Sequence, residues 1–163
     1  MSCSQLFLLC SSEIVPRQNT FMRYSGVPGS LRDAYSVTHF VVADMHTPFV
    51  LRIGHASKPL AELYAQFGVD CAAFITAYNP YSEAAADEQN AAKQSELLQD
   101  LSDMGLACIN GRGEDPSGEW PPEASVLVLG ISKADAEHVG VTYRQNAIVW
   151  IRADCVPELV FLA

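Results

Sequence analysis

Two uninterrupted apolar segments constrain the fold of this chain more than any other feature. CAAFITA spans residues 71–77, and SVLVLGI spans residues 125–131. Apolar runs of this length are typical of strands at the centre of a sheet, where both faces are covered. Helices are therefore expected on the sheet, and 163 residues with 49% hydrophobic content suffice for one such core.

Helix and strand patterns follow one another around these runs. THFVVAD (38–44) and PFVLRIG (48–54) predict a hairpin across the turn MHT. Capping residues mark two helices, one from Ser57 to Gly68 and one that starts at Ser132, and a third is expected at about Glu83–Met104. NAIVWIR (146–152) and ELVFL (158–162) predict two closing strands. The fold class is α/β or α+β, a single layered domain with a mixed β-sheet and about three helices packed on it.

Residues 1–32 differ in pattern from the remainder of the chain. They contain Pro16, Gly26, Pro28 and Gly29 without a clear period, so we expect an irregular N-terminal arm with a short strand at its start. LFLLC at 6–10 is too short for a signal peptide and lacks a basic segment before it. A single globular domain is expected over residues 33–163.

Charge and cysteine content limit the classes of partner. Residues 1–58 hold five basic and three acidic residues, and residues 59–163 hold five basic and sixteen acidic, which gives the net charge of −9. Such a chain repels phosphate groups, so neither nucleic acid nor an anionic membrane is an expected partner. The asymmetry allows weak self-association or a protein partner. Five cysteines without CxxC or Cys/His spacing favour reduced thiols in a cytoplasmic protein, and no apolar run approaches the length of a membrane span.

Polar residues crowd where the 71–77 strand should end. They are Thr76, Tyr78, Asn79 and Ser82, within the stretch TAYNPYS. The end of a central strand and the start of the next helix form an edge where layered sheets commonly bind ligands. Asn-Pro-x-Ser is equally good turn and capping chemistry, and the sequence leaves both interpretations open.

Asn90 opens the apolar stripe of the third helix. At 100° per residue, Gln94, Leu97 and Leu101 fall on its side of the helix. A buried amide must find partners, and the nearest expected groups are the polar ends of the 71–79 segment. Asn90 is therefore expected either to latch the helix to the turn or to contact a ligand.

The segment GRGEDPSGEWPPE at 111–123 is expected to be a long binding loop. It lacks the Gly-Lys-Ser/Thr of a phosphate loop and is acidic. Trp120 predicts either an aromatic wall for a ligand or a core anchor for the loop. Glu123 is the candidate ligand carboxylate and the weak candidate for a general base, and a solvated loop acid is the alternative. Gln145 and Asn146 place further amides near the same region.

Several separated motifs resemble one family. They are LRIG (51–54), FITAYNPYS (74–82), the helix that carries Asn90, GRGEDPSGEWPPEASVLVLGI (111–131) and RQNAIVW (144–150). In this order they resemble the bacterial domain of unknown function 3293, over about Asp33 to Leu162. The resemblance implies a small stand-alone bacterial domain and transfers no catalytic assignment.

The sequence therefore predicts a cleft at the end of the 71–77 strand that binds a small polar molecule. The expected ligand-binding residues are Thr76, Tyr78, Asn79, Ser82, Asn90, Trp120 and Glu123. No cofactor and no metal are predicted. The sequence does not decide whether a reaction is catalysed: Glu123 could serve in acid-base chemistry, but no second titratable residue is found to act with it. The alternative is a non-catalytic protein-interaction module without a small-molecule site.

Overall fold

A computed structural model describes residues 27–43 and 47–162, which form seven strands and four α-helices. The strands are β1 (His39–Val42), β2 (Phe49–Leu51), β3 (Ala72–Ile75), β4 (Ala107–Glu114), β5 (Glu123–Leu129), β6 (Ala147–Ile151) and β7 (Pro157–Phe161). The helices are α1 (Gly29–Val37), α2 (Lys58–Phe67), α3 (Asp87–Asp103) and α4 (Lys133–Thr142), and a 3₁₀ turn spans Pro80–Ser82. No helix in these described ranges is long and apolar enough to cross a membrane.

The described strands form one sheet in the order β2-β1-β4-β5-β3-β6-β7, and every neighbouring pair is antiparallel. Two helical crossovers are interleaved in it. The β3-α3-β4 unit joins strands that run in the same direction, with β5 between them, and the β5-α4-β6 unit does the same around β3. This β-α-β-β-α-β arrangement is the split crossover of ferredoxin-like folds. The β1-β2 hairpin extends it on one side and β7 on the other.

The two faces of the sheet carry separate cores. Alternate residues of each strand point to opposite faces, so Phe74 and Leu127 pack with Leu60 of α2, whereas Ile75 and Val126 belong to the other core. That second core is completed by residues of α3 and α4: Leu97, Leu101, Ala136 and Val139. The prediction that the central strands are covered on both faces is confirmed.

Local signals set the helix ends as predicted. The Ser57 side chain accepts a hydrogen bond from Leu60 N, and Gly68 ends α2 in the left-handed conformation at φ 67°. Ser132 caps α4 by accepting from Asp135 N. The third helix begins at Asp87 rather than at about Glu83, because the segment before it is held to the turn, where Ala85 N donates to Asn79 Oδ1.

Two features of the fold differ from the sequence expectation, and two predicted segments lie outside the described residues. The sheet is antiparallel rather than mixed, because each helical crossover skips one strand. Helix α1 begins at Gly29, inside the segment expected to be irregular. The predicted β1-β2 hairpin is present, whereas residues 44–46 of its turn and residues 1–26 of the arm lie outside the described residues.

Strong curling brings distant strands together on the α2 face of the sheet. The rings of Phe40 in β1 and Phe74 in β3 meet edge to face, with centroids 5.4 Å apart, although β4 and β5 lie between these strands. Gly111 of β4 makes this contact feasible. A Cβ at this position would lie 2.8 Å from the Phe74 ring and 2.6 Å from the Val41 carbonyl oxygen.

We expect Gly111→Ala to lower the free energy of unfolding by about 1 to 3 kcal/mol, because the added methyl group overpacks the core against backbone. Gly113→Ala is the matched control on the same strand, since its Cβ would meet nothing closer than Thr38 Cγ2 at 3.8 Å. Urea unfolding of both variants measures the difference. Equal stability of the two variants would contradict the proposed role of Gly111.

Candidate functional site

The polar residues at the end of β3 replace the hydrogen bonds that the sheet no longer supplies. Three consecutive backbone N–H groups beyond the strand are satisfied by side-chain oxygens. They are the amides of Ala77, Tyr78 and Asn79, which donate to Gln94 Oε1 (2.9 Å), Thr76 Oγ1 (3.0 Å) and Asn90 Oδ1 (2.9 Å). Backbone donors at a buried strand end must be paired, so these side chains hold the turn in place.

The side-chain amide of Asn79 is the centre of this network. Its Oδ1 accepts from Asn90 Nδ2 at 2.9 Å and from the backbone N of Ala85 at 3.1 Å. Its Nδ2 donates to Glu123 Oε1 at 2.6 Å. Asn79 lies in the left-handed region at φ 45°, which asparagine tolerates better than most residues. One amide therefore joins the turn, α3 and the start of β5.

Glu123 is the first residue of β5 and is half-buried. Its Oε1 accepts the hydrogen bond from Asn79, whereas its Oε2 has no hydrogen-bond donor among the described residues. The ion pairs of the described chain do not include Glu123. The carboxylate is thus oriented by a neutral amide, and it forms no ion pair with a basic side chain of residues 27–43 or 47–162.

The turn after Asn79 has an unusual backbone. Tyr81 at φ 55° and Ser82 at φ 60° are both left-handed, and Arg144 at φ 55° lies beside them, where its carbonyl oxygen accepts from Tyr81 N at 2.7 Å. A bulky residue in this region is rare and costs free energy, and such residues cluster at functional sites. The turn leaves the Tyr81 side chain 53% exposed.

Ser82 connects the turn to two further elements. Its Oγ lies 2.8 Å from the Tyr35 hydroxyl of α1 and accepts from Asn146 Nδ2 at 3.0 Å. Gln145 Nε2 donates to the Tyr78 carbonyl oxygen at 3.1 Å. The amides expected near this region from the motif RQN therefore do reach it, and α1 adds a contact that no sequence pattern indicated.

The expected loop 111–123 is shorter than predicted, since β4 extends to Glu114 and β5 begins at Glu123. The remaining connection, 115–122, is organised around one carboxylate. Asp115 accepts from Ser117 N (2.9 Å), Ser117 Oγ (2.6 Å), Glu119 N (3.0 Å) and Trp120 N (3.3 Å). Hydrogen bonds from the Ser117 side chain and backbone lower the pKa of Asp115, and the backbone hydrogen bonds from Glu119 and Trp120 lower it by smaller amounts.

Trp120 projects from this loop with 66% of its surface exposed. The alternative that it anchors the loop to the core is therefore wrong. Pro121 and Pro122 separate it from Glu123, so the chain between the indole and the carboxylate is stiff. Its neighbours leave the indole available to a ligand or to a protein partner.

The structure links five of the seven predicted residues directly. Thr76, Tyr78, Asn79, Asn90 and Glu123 share the network, with Thr76 Oγ1 also donating to the Ala124 carbonyl oxygen at 2.7 Å. Ser82 lies at its border, and Trp120 stands three residues from Glu123 without a hydrogen bond from its side chain. Ligand contact by any of the seven stays a prediction. Sequence reasoning missed two roles. Gln94 lies on the same helix face as Asn90 and accepts from Ala77 N, and Asp115 organises the loop 115–122 through the hydrogen bonds that it accepts.

A shallow cavity exists elsewhere, and none of the seven predicted residues lines it. It lies between α4 and the end of β7, against Ala134, Glu137, His138, Val141, Phe161 and Leu162.

Among the described residues no group of three histidine, cysteine or acidic side chains is placed to hold a metal ion. Cys71, Cys108 and Cys155 are free, and burial raises the pKa of each thiol, which disfavours the nucleophilic thiolate.

Comparison with known proteins identifies one family. Residues 75–148 match the family described as "Protein of unknown function (DUF3293)", which confirms the family expected from the motifs. The match runs from the end of β3 to the start of β6 and includes all seven predicted site residues. Neither a curated protein nor a solved structure matches the chain.

We expect Asn90→Ala to destabilise the protein by about 1 to 3 kcal/mol, because it removes the acceptor of the Asn79 backbone N–H and the donor to Asn79 Oδ1. Asn90 is only 4% exposed, so water cannot readily replace it. Gln89→Ala, at the neighbouring exposed position of α3, is the control. If urea unfolding gave the two variants the same stability, the latch between α3 and the turn would be refuted.

Acid should loosen the 115–122 loop once the pH falls below the ordinary aspartate pKa. The folded state lowers the pKa of Asp115, so its contribution to order is present above the ordinary aspartate pKa and is lost as pH falls through the lowered value. The Trp120 indole N–H signal in NMR spectra reports this change, and Trp150 provides the internal reference. Asp115→Asn should produce a similar loosening at neutral pH, because the new amide cannot accept at both positions. An unchanged Trp120 signal in that variant would contradict this role.

Proposed function

We propose that the protein binds a small polar molecule at the end of β3, with the carboxylate of Glu123 as the anchor. One observation carries the proposal. Asn79 Nδ2 holds Glu123 Oε1 at 2.6 Å, while Oε2 has no donor among the described residues. A half-buried carboxylate with one free oxygen presents a hydrogen-bond acceptor in a fixed direction.

The other predicted residues support the anchor rather than each contacting the ligand. Asn90 is buried and orients Asn79, which in turn orients Glu123. Thr76 fixes the backbone on which Tyr78 and Asn79 stand. Such a chain of support lowers the ordering cost of binding, because the contacting group is already in position. Tyr78 and Trp120 are proposed to supply the apolar or stacking surface.

We propose binding rather than catalysis. General acid-base chemistry at Glu123 would need a second titratable group, and in the described chain its hydrogen-bonded neighbour is a neutral amide. The net charge of −9 argues against nucleic acid and anionic membranes as partners. We also propose a cytoplasmic location, which the free thiols of the described cysteines support.

One observation favours the second candidate, a protein-interaction module. The hydrogen bonds of Asn79 and Asn90 are satisfied within the chain, and Trp120 is 66% exposed on an ordered loop. Exposed tryptophans on ordered loops are common anchors of protein interfaces. In this alternative the amides hold the fold only, and Glu123 has no ligand.

A thermal-shift screen of metabolites that covers amines, sugars, nucleosides, amino acids and organic acids tests the proposal. A ligand present at 100 times its Kd adds about 2.7 kcal/mol, which is a shift of roughly 5 to 10 °C for a chain of this size. We expect Glu123→Gln to abolish the shift, because it removes the charge and keeps an oxygen for Asn79. Glu119→Gln is the control, since the side chain of Glu119 is exposed in the same loop.

Two results would count against the small-molecule site. A screen with no hit would favour the interaction module, provided that the concentrations exceed about 1 mM, where binding free energies are still about 4 kcal/mol. A hit that Glu123→Gln and Glu119→Gln affect equally would place binding elsewhere. Affinity capture with Trp120→Ala as the negative control then tests the module.

A further inference from the structure

We infer that the apolar segment 6–10 of the N-terminal arm docks on the outer edge of β7 as an added strand, beside α4. This segment reads LFLLC and lies outside the described residues. The surface that receives it belongs to the described chain and is formed by β7, α4 and the start of α1. None of the residues that carry the inference belongs to the proposed ligand site, so the two proposals are independent.

The outer edge of β7 presents backbone groups that have no partner in the described chain. β7 is the last strand of the described sheet and pairs with β6 alone. Leu162 N donates to Asn146 O at 2.9 Å, so the alternation of an antiparallel pair turns the N–H and C=O groups of Leu159 and Phe161 away from β6. Both residues are half-buried. Partly buried backbone groups at an open edge are a template for another strand.

The open part of this edge is apolar and unprotected. The start of β7 is closed, because Pro157 has no N–H and its carbonyl oxygen accepts from Gly54 N at 2.9 Å. From Leu159 onward the sequence is LVFL, without the charges or proline that commonly block an edge strand. The opposite edge, β2, is only three residues long and offers a shorter template. A further strand is therefore expected on β7.

The shallow cavity between α4 and the end of β7 lies where such a strand would pack. Phe161 and Leu162 are consecutive, so their side chains point to opposite faces, and a cavity that touches both residues lies at the edge of the sheet. The α4 side of the cavity is one stripe of the helix, at spacings of three and four residues: Ala134, Glu137, His138 and Val141. Val141 is 57% exposed, and an added strand would cover it.

The described chain begins at this same edge. The guanidinium of Arg32 in α1 lies 4.7 Å from the centre of the Phe161 ring, and Arg32 Nε donates to the Val27 carbonyl oxygen at 3.2 Å. Val27 is the first described residue and is 7% exposed. The residues that precede Val27 therefore join the described domain beside the open end of β7.

The tether makes the arm the favoured occupant. Residues 11–26 connect the segment to Val27 and can span roughly 50 Å, which is about three times the length of β7. A segment on a short flexible tether has an effective concentration on the order of mM, so at micromolar protein the arm has the advantage over a second copy of the chain.

Composition and charge also favour the arm. Residues 1–12 are uncharged, and Phe7 and Leu9 alternate with Leu6 and Leu8, so both faces of a strand would be apolar. Such a strand suits a position that a helix covers. Residues 1–26 hold two arginines and one acidic residue, whereas residues 27–163 hold eight basic and eighteen acidic residues. A net charge of +1 on the arm therefore meets a net charge of −10 on the remainder.

Amide hydrogen exchange of the full chain, followed by NMR, tests the inference. We expect the outward N–H groups of Leu159 and Phe161 to exchange at least about a hundredfold more slowly than unstructured amides, because they donate to the docked segment. Nuclear Overhauser effects between residues 6–10 and β7 should accompany this protection. The amide of Leu162, which bonds to β6, is the internal reference for an intact strand.

Two pairs of variants assign the protection to its residues. Phe7→Asp should return the Leu159 and Phe161 amides to fast exchange and leave Leu162 protected, because a charge cannot enter the apolar groove. Phe21→Asp makes the same change elsewhere in the arm and should have no effect. On the receiving side, Val141→Asp should act as Phe7→Asp does, whereas Thr142→Asp, at the next exposed position of α4, should not.

Three results would overturn the inference. The first is fast exchange of the Leu159 and Phe161 amides in the natural chain. The second is equal loss of protection in Phe7→Asp and Phe21→Asp, which would show that segment 6–10 is not the added strand. The third is protection that rises with protein concentration together with a dimer in sedimentation equilibrium, which would identify a second copy of the chain as the occupant of the edge.

Discussion

The side-chain amide of Asn79 is the contact on which the polar end of the sheet depends. Its oxygen accepts from α3 and from the chain before it, and its nitrogen donates to the first residue of β5. A planar amide that makes these bonds at once has a fixed orientation, so it fixes Glu123 as well. The left-handed backbone of Asn79 is part of the same arrangement, because it turns the chain from β3 toward α3 while the side chain remains inside.

The interleaved order of the sheet explains why these two residues meet. In a simple crossover, β3 and β4 would be neighbours, and the start of β5 would lie away from the end of β3. Here β5 runs between them and antiparallel to β3, so the start of β5 is placed beside the end of β3. The same order brings the start of β6 to the other side of β3, which is why Gln145 and Asn146 contact the turn. The site is therefore a consequence of topology rather than of one loop.

Sequence reasoning succeeded where the deciding interactions are local. The caps at Ser57, Gly68 and Ser132 act within one helical turn, and the inward position of Asn90 follows from helical period alone. It failed where distant contacts decide. Gly111 is typical of a loop in the sequence, yet it lies in β4, where it pairs with Val42 and Ser125. Glycine is needed at this strand position because the ring of Phe74 from another strand occupies the space of a side chain. The exposure of Trp120 was equally beyond local patterns, since a tryptophan between glycine and prolines fits both a core anchor and a free surface.

The choice of an amide rather than an arginine as the partner of Glu123 has a physical consequence. An arginine would hold the carboxylate as firmly, but it would also neutralise the charge and occupy both oxygens in a forked contact. The Asn79 amide orients one oxygen and leaves the charge intact. The carboxylate therefore keeps its second oxygen without a donor among the described residues, at the end of β3.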